Sequence, residues 1–189
     1  MSSFPLGDRG PPSMPAILRP PAILIVTALL FGLAALAVPR FGTLGNIENV
    51  LRIAAILGIV ACGQAIVVIL AGIEFSFGAS AALASVVIVM ALPTAGVVGA
   101  FLLGALLIVG VGMVNGLLVA RFAVPPVIAT PGMLMIASGL AAWLAGGLPI
   151  DAPPSDAFSF PARGRVLGIP VPILCAAVAF ATLHLLLAK

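Results

Sequence analysis

Long apolar runs alternate with short polar or proline-containing stretches along most of this chain. Such runs are typical of membrane-spanning helices, which need about 20 mostly apolar residues to cross the hydrocarbon core of a bilayer. The runs cover residues 22–38, 50–70, 79–92, 96–119, a fifth stretch that opens at Pro125 and closes at Gly146, and 173–187. The pattern therefore predicts an all-α, polytopic helical membrane protein of about six transmembrane spans.

The first 21 residues differ from the rest in composition. They contain six prolines together with Arg9 and Arg19, which predicts a Pro-rich, non-helical tail on the cytoplasmic side. Residues 22–189 then form the predicted transmembrane domain. A second interpretation stays open, because a basic start, an apolar run and Ala35-Leu36-Ala37 are also the features of a signal peptide with its cleavage site. The run over 22–38 is long for a signal peptide, which favours a span.

Composition excludes most soluble functions. The chain of 189 residues is 63% hydrophobic and 7% charged, with a mean hydropathy of +1.37. Its net charge of +3 is small and scattered, so we expect no nucleic-acid partner. A single histidine and two distant cysteines offer neither a metal site nor a disulfide, and Lys189 as the only lysine rules out a P-loop. We therefore predict a protein that is not an enzyme and has no cofactor of its own.

One charged residue lies between the second and third apolar runs. Glu74 lies in the segment 71–79 (Ala-Gly-Ile-Glu-Phe-Ser-Phe-Gly-Ala) and is the only charge between Arg52 and Arg121. A carboxylate at membrane depth costs roughly 2.5–3.5 kcal/mol on insertion scales. Gly72 and Gly78 flank it and weaken helix on both sides. The segment is either a tight turn with Glu74 at the headgroup level or a polar element that lines a pathway. Since the run 79–92 is short for a span, we expect its helix to begin inside the segment.

Four further polar side chains fall inside apolar runs, and with Glu74 they are the candidate lining of a substrate path: Gln64, Ser76, Asn115 and Thr130. Each has a plainer alternative. Gln64 is suited to a hydrogen bond between helices, and Thr130 to a bond with its own helix backbone. Small residues also recur at four-residue spacing and predict helix-packing faces: Gly96, Ala100, Gly104, Gly112 and Gly116 in one run, and Ala137, Ala141 and Ala145 in the next.

The segment around Glu74 resembles the Gly-Gly-Ile-Asp-Leu-Ser-Val-Gly signature of the permeases of sugar ABC importers, of the ribose, arabinose and xylose type. Gly72, Ile73, Ser76 and Gly78 match it, and Glu74 stands for its aspartate. Further ordered matches are Asn-Gly-Leu-Leu-Val at 115–119, Pro-Pro-Val-Ile-Ala-Thr-Pro-Gly at 125–132, Gly-Gly-Leu-Pro-Ile at 146–150 and Gly-Ile-Pro-Val-Pro at 168–172. The resemblance covers roughly residues 45–187.

The resemblance implies a multi-pass permease of the bacterial inner membrane that forms the path for a monosaccharide. It implies four partners: a separate ABC ATPase that uses ATP, an external substrate-binding protein, a second permease copy in a homodimer, and membrane lipid. The stiff, polar loop over 148–169 would be external and would contact the binding protein through Asp151, Asp156, Arg163 and Arg165.

Permeases of that family are about twice this long, so the chain resembles their N-terminal half. Two alternatives stay open. One is a permease for another small solute, such as branched-chain amino acids, and the other is a truncated membrane fragment that does not transport.

We predict an orientation that cysteine labelling can test. Six spans and a cytoplasmic N-terminus place Arg9, Arg19, Arg121 and Lys189 inside and the loop over 148–169 outside. A Ser155→Cys variant should then react with an impermeant maleimide in intact cells, whereas Ser13→Cys should react only after lysis. The reverse pattern would show that the orientation is wrong.

Overall fold

The computed structural model describes residues 20–188, and their side chains from residue 22 onward. The predicted tail over 1–21 therefore lies almost entirely outside the described residues, as does Lys189. The elements in chain order are α1 (Pro20–Ala37), α2 (Leu44–Ile69), α3 (Phe77–Ala120), α4 (Pro126–Leu144), α5 (Asp156–Arg163), β1 (Arg165–Val166), β2 (Ile169–Pro170) and α6 (Val171–Leu187). The chain divides into two compact units, Met1–Leu51 and Arg52–Lys189.

Three of these helices are long and apolar enough to cross a membrane: α2, α3 and α4. Two shorter apolar helices, Ala22–Ala37 and Val171–Leu187, accompany them. The prediction of an all-α membrane protein is thereby confirmed.

Helix α3 is a hairpin of two helical arms. Its 44 residues would measure about 66 Å if straight, more than twice the thickness of a bilayer core. Gly96 interrupts it with φ 67° and ψ 178°, a conformation open to glycine, and Pro93 lies just before. We call residues 77–95 the first arm and 97–120 the second. Gly104 approaches Ile88 and Asn115 bonds Ser76, so the arms run antiparallel. With two arms in α3, the described residues hold six apolar helical segments.

The end of α2 sets up the polar segment that follows. Ala71 adopts a left-handed conformation with φ 56°, and the Gly72 N–H bonds the Val67 carbonyl at 2.9 Å while the Ala71 N–H bonds that of Val68 at 2.9 Å. This is a Schellman motif with alanine where glycine is usual. Gly72 is needed for a different reason, because a Cβ there would lie 3.2 Å from the Val67 carbonyl oxygen. Helix α3 then begins at Phe77, inside the segment as predicted.

The first unit contains α1 and an ordered turn. The Thr43 hydroxyl donates to the Arg40 carbonyl at 2.8 Å, and the Asn46 amide donates to the Phe41 carbonyl at 2.8 Å. The rings of Phe31 and Phe41 meet edge to face with centroids 5.0 Å apart. These contacts fold the end of α1 toward the start of α2 within this unit.

The core of the second unit lies between α3 and α4. Leu83 of the first arm packs on Ala137 and Ala141, which are 1% and 8% exposed. The small residues let the helices approach closely, as their spacing predicts. The glycine stripe of the second arm contacts the first arm only near the hairpin turn. Ala100 and Gly104 are buried there, whereas Gly112 and Gly116 are exposed with open space around them.

The loop predicted over 148–169 contains secondary structure that the sequence analysis did not predict, namely α5 and a small hairpin. Ser155 caps α5 by accepting the Phe158 N–H at 3.3 Å, and Asp156 and Arg163 complement the helix dipole. Strands β1 and β2 pair antiparallel, with Leu167 and Gly168 at positive φ in the turn. A guanidinium nitrogen of Arg52 on α2 donates to the Ala162 carbonyl of α5 at 2.8 Å.

Two glycines of the second arm give a matched test of the hairpin. Changing Gly110 to alanine should raise stability by up to about 1 kcal/mol, because nothing lies within 4 Å of its Cβ position and helix propensity improves. Changing Gly104 to alanine should instead lower it by about 1–3 kcal/mol, because the new Cβ would lie 2.5 Å from Ile88. Thermal unfolding of the purified protein measures both, and equal shifts would contradict the packing of the arms.

Candidate functional site

The backbone from Ile73 to Ser76 is non-helical and lies between α2 and α3. We call it the 73–76 segment. At membrane depth, peptide groups outside a helix must find partners within the protein, since lipid offers none. The hydrogen bonds of the segment come mostly from polar side chains on the surrounding helices, and these include the residues that the sequence singles out.

The Glu74 carboxylate is the centre of this arrangement. One of its oxygens, Oε1, accepts hydrogen bonds from the backbone N–H and from the hydroxyl of Ser76, both at 2.5 Å. The other, Oε2, accepts from the side-chain amide of Asn115 at 3.2 Å. All three partners are donors, as a carboxylate requires. Because Glu74 also precedes the first turn of α3, the positive end of that helix dipole stabilises its charge.

Asn115 joins the far end of the second arm to this segment. Its amide nitrogen donates to the Ser76 hydroxyl at 3.0 Å as well as to Glu74. The side chain is buried, and its Oδ1 has no hydrogen-bond partner among the described residues. A buried acceptor without a partner costs about 1–3 kcal/mol of folding free energy. The two bonds that the amide nitrogen donates therefore hold Asn115 in an orientation that leaves its Oδ1 unbonded.

Thr130 ties the segment to α4. Its hydroxyl accepts the Phe75 N–H at 3.2 Å and lies within donating distance of two carbonyls, Ile73 at 3.2 Å and Pro126 at 3.0 Å. A hydroxyl has one proton, so these two carbonyls share it. The bond to Pro126 is the own-helix bond that the sequence suggests. The bonds to Phe75 and Ile73 add a link between helix and segment.

Gln64 supplies the link from α2. Its side-chain amide donates to the backbone carbonyl of Glu74 at 3.3 Å, so it bonds the segment rather than a neighbouring helix. All five candidate residues therefore converge on one place: Gln64 from α2, Glu74 and Ser76 from the segment, Asn115 from the second arm of α3, and Thr130 from α4.

The helix ends show how deep this cluster lies. Asn115 comes five residues before the last residue of α3, Ala120, which corresponds to about 7.5 Å along the axis. Because Glu74 bonds Asn115, the carboxylate lies more than one helical turn inside the end of the second arm. If the segment were only a turn at the helix ends, the carboxylate would lie level with Ala120. The geometry thus favours a polar element inside the bundle.

A cavity of about 200 Å³ adjoins the carboxylate. Its lining combines the polar groups with apolar and small residues of both arms: Glu74, Ser76, Phe77, Ser80, Ala81, Ile108, Val111, Gly112 and Asn115. Gln64 and Thr130 are not part of this lining. Ser80 was not among the predicted residues, although it follows Ser76 by one helical turn and so shares its face. Its hydroxyl donates to the Ser76 carbonyl at 2.8 Å.

The four charged residues of the predicted docking loop are spread over different elements. Asp156 and Arg163 lie at opposite ends of α5, Arg165 is in β1, and Asp151 precedes the helix. All four are exposed. Cys62 is buried and Cys175 exposed, both as free thiols. Within residues 20–188 no group of three or more His, Cys, Asp or Glu side chains is arranged to hold a metal ion.

Two threonines allow the link to α4 to be tested. Thr130→Val keeps the shape but leaves the Phe75 N–H without its acceptor, so we expect a loss of about 1–3 kcal/mol. Thr182 of α6 is exposed and bonds only its own helix, at the Val178 carbonyl. Thr182→Val should therefore change the unfolding temperature little. A similar loss in both variants would show that Thr130 matters only to its own helix.

Comparison with known proteins shows to which family the chain belongs. Over 165 residues the chain is 30% identical to the ribose import permease protein of Escherichia coli K12, covering 83% of this chain and 50% of that protein. It is 37% identical over 147 residues to the ribose import permease protein of Bacillus subtilis, covering 76% and 45%. The L-arabinose ABC transporter permease protein of Azospirillum brasilense is 31% identical over 173 residues, with 88% and 49% covered. No solved structure matches.

The chain spans about half the length of these curated relatives. The apolar helices and the relatives together place it in the bacterial inner membrane as a multi-pass protein. The family model described as "Branched-chain amino acid transport system / permease component" matches residues 46–189. The chain belongs to this family of transport permeases, and within it the chain is similar to permeases of sugar ABC importers.

Proposed function

We propose that the chain forms part of the path by which an ABC importer moves a monosaccharide across the inner membrane. The observation that carries the proposal is the Glu74 carboxylate, fixed by donors on Ser76 and Asn115 and adjoining a cavity between the segment and the two arms of α3. A charge kept at that depth has a cost, and such residues commonly mark the pathways of transported solutes. The similarity to ribose and arabinose permeases supports the same class of solute.

The few polar groups that adjoin this cavity are hydrogen-bond acceptors. Ser76 and Ser80 donate their hydroxyl protons within the protein and Glu74 is a carboxylate, so a solute that reached them would have to bring hydrogen-bond donors. A monosaccharide carries many hydroxyl donors that match such a surface. The alternative of a branched-chain amino acid path, which the family description keeps open, is separated from a sugar path by uptake of labelled leucine.

The cavity is small for a complete binding site. Its volume of about 200 Å³ lies below the roughly 300–1,000 Å³ of typical ligand pockets. We infer that the described conformation admits only one edge of a sugar beside Glu74. In an importer that alternates between open and closed states, this cavity would widen as the path opens.

The proposal requires partners. Because the sequence has no P-loop, ATP would be bound and hydrolysed by a separate ATPase subunit, and this chain would carry out no covalent chemistry. An external binding protein would deliver the sugar at the loop that carries Asp151, Asp156, Arg163 and Arg165, all of them exposed. A second permease copy would complete the path as a homodimer. The exposed Gly112 and Gly116 suit a close helix contact there, with lipid around the rest.

Substitution of Glu74 tests the path. In cells that contain the chain with the ATPase, binding protein and any further permease segment encoded beside it, Glu74→Gln should lower monosaccharide uptake by about tenfold or more. Membrane levels should change little, because glutamine can still accept the two bonds from Ser76, and the Asn115 amide can turn its free oxygen toward the new N–H at the cost of its single bond to the Ser76 hydroxyl. Uptake of labelled ribose or arabinose and quantitative immunoblotting measure the two effects.

Two controls sharpen this test. Glu74→Asp keeps the charge and restores the residue of the resembling signature, so it should retain most of the uptake that Glu74→Gln loses. Labelled leucine should not be taken up by any of the variants. Normal sugar uptake by Glu74→Gln would contradict the path role of Glu74, and leucine uptake by the unaltered chain would replace the proposed substrate class.

A further inference from the structure

A second and larger cavity lies away from the Glu74 site, at the end of the second unit that carries α5. Its volume is about 830 Å³. Its walls come from α2 through Ile56 and Ile59, from the first arm of α3 through Ile88 and Val89, and from α6 through Cys175. Helix α5 and the residues before it close one side, and the rings of Phe158 and Phe101 meet there with centroids 5.8 Å apart.

The hydroxyl groups of this cavity are already engaged. Ser85 donates to the Ala82 carbonyl of its own helix at 2.7 Å, and Ser159 donates to the Asp156 carbonyl at 3.2 Å. Ser155 accepts the Phe158 N–H as the cap of α5. What remains on the walls is mainly aliphatic and aromatic surface.

The charges at the edge of the cavity are unevenly placed. Arg163 lies at the C-terminal end of α5, and the guanidinium of Arg52 reaches the same end through its bond to the Ala162 carbonyl. Asp156 begins the helix, seven residues or about 10 Å away from Arg163. One end of α5 thus carries two guanidinium groups, the side chains best suited to binding a phosphate.

We propose that this cavity binds a membrane phospholipid, with one acyl chain between α2, α3 and α6 and the phosphate at Arg163 and Arg52. The apolar walls match an acyl chain. The Arg163 guanidinium in the lining, with Arg52 bonded to the neighbouring Ala162 carbonyl, matches the charge of the phosphate. Helix α5 suits the membrane interface, because Phe158 points to the cavity while its two charged ends are exposed. The bound lipid would pack against the side of α5 that carries Phe158. This site is independent of the sugar path proposed for Glu74.

Photolabelling tests the acyl-chain part. The full chain is reconstituted in nanodiscs of phosphatidylethanolamine and phosphatidylglycerol that contain a phospholipid with a photoreactive group in its acyl chain. Labelled peptides should include the cavity faces of α3 and α6. Cys175→Phe or Ser85→Phe, which both fill the cavity, should reduce labelling at those faces by roughly tenfold relative to the unaltered chain. Val178→Phe adds the same bulk one turn further along α6 at a position 66% exposed, and should leave labelling unchanged.

A second pair of variants tests the contact with the phosphate. Arg163→Gln should weaken retention of phosphatidylglycerol during detergent exchange by roughly tenfold, as measured by mass spectrometry of the purified protein. Arg165→Gln removes an equal charge two residues away, outside the cavity lining, and should not. Equal labelling in the filled and unaltered chains would overturn the site. Labelling confined to outward-facing residues, or loss of labelling on addition of a monosaccharide, would also overturn it.

Discussion

The fold depends on one constraint, which is that a stretch of non-helical backbone inside a membrane must have its peptide groups bonded by protein. The 73–76 segment meets it through side chains. The Ile73 carbonyl and the Phe75 N–H bond Thr130, the Glu74 carbonyl bonds Gln64, and the Ser76 N–H bonds the carboxylate of Glu74. The two helices that supply Thr130 and Gln64, α4 and α2, are thereby fixed around the segment. The residues proposed for the path are the same ones that hold the helices together.

This double role explains how the chain keeps a charge at depth. Breaking a buried charge arrangement by removing one partner is strongly destabilising, whereas a fully bonded carboxylate is tolerated. Glu74 is bonded by two groups of Ser76 and by Asn115, and it faces the N-terminus of α3. No basic side chain contributes to these bonds. Hydrogen-bond and helix dipoles therefore stabilise the charge that an arginine would stabilise in an ion pair. In the proposed path, this leaves the space beside the carboxylate open to a neutral solute.

Much of this could be predicted from the sequence, because hydrophobic periodicity and rare polar residues at depth are local signals. The six apolar segments and the start of α3 near Phe77 follow from run lengths. The five polar residues follow from the cost of burying them. Their mutual contacts do not, since a sequence shows which residues need partners and not which partners they find. The Asn115–Glu74 bond depends on Gly96, whose hairpin brings residues 41 positions apart together.

Two features escaped prediction for a different physical reason. Helix α5 has only eight residues and contains Pro161, so its amphipathic pattern, although pronounced, spans about two turns and is too short to predict a helix. Ala71 takes the left-handed conformation although Gly72 stands next to it. The Schellman bonds of α2 stabilise a conformation that the side chain itself disfavours, and the glycine is reserved for the close approach to Val67.

The strengths of the individual links indicate how the bundle can move. Thr130 and Asn115 each make at least two bonds to the segment, and the α3–α4 core packs against the same elements. Gln64 makes a single bond at 3.3 Å, the longest of the set. Each broken buried bond costs about 1–3 kcal/mol, so α3, α4 and the segment favour moving as one body. A hinge between that body and α2 would break the Gln64 bond and alter the turn at Ala71 and Gly72. At the other end of α2, the Arg52 bond to the Ala162 carbonyl would have to follow the movement. The larger cavity lies between α2 and the first arm of α3, so a movement at this hinge would change its width, whereas the bonds from Ser76 and Asn115 would keep the carboxylate in place.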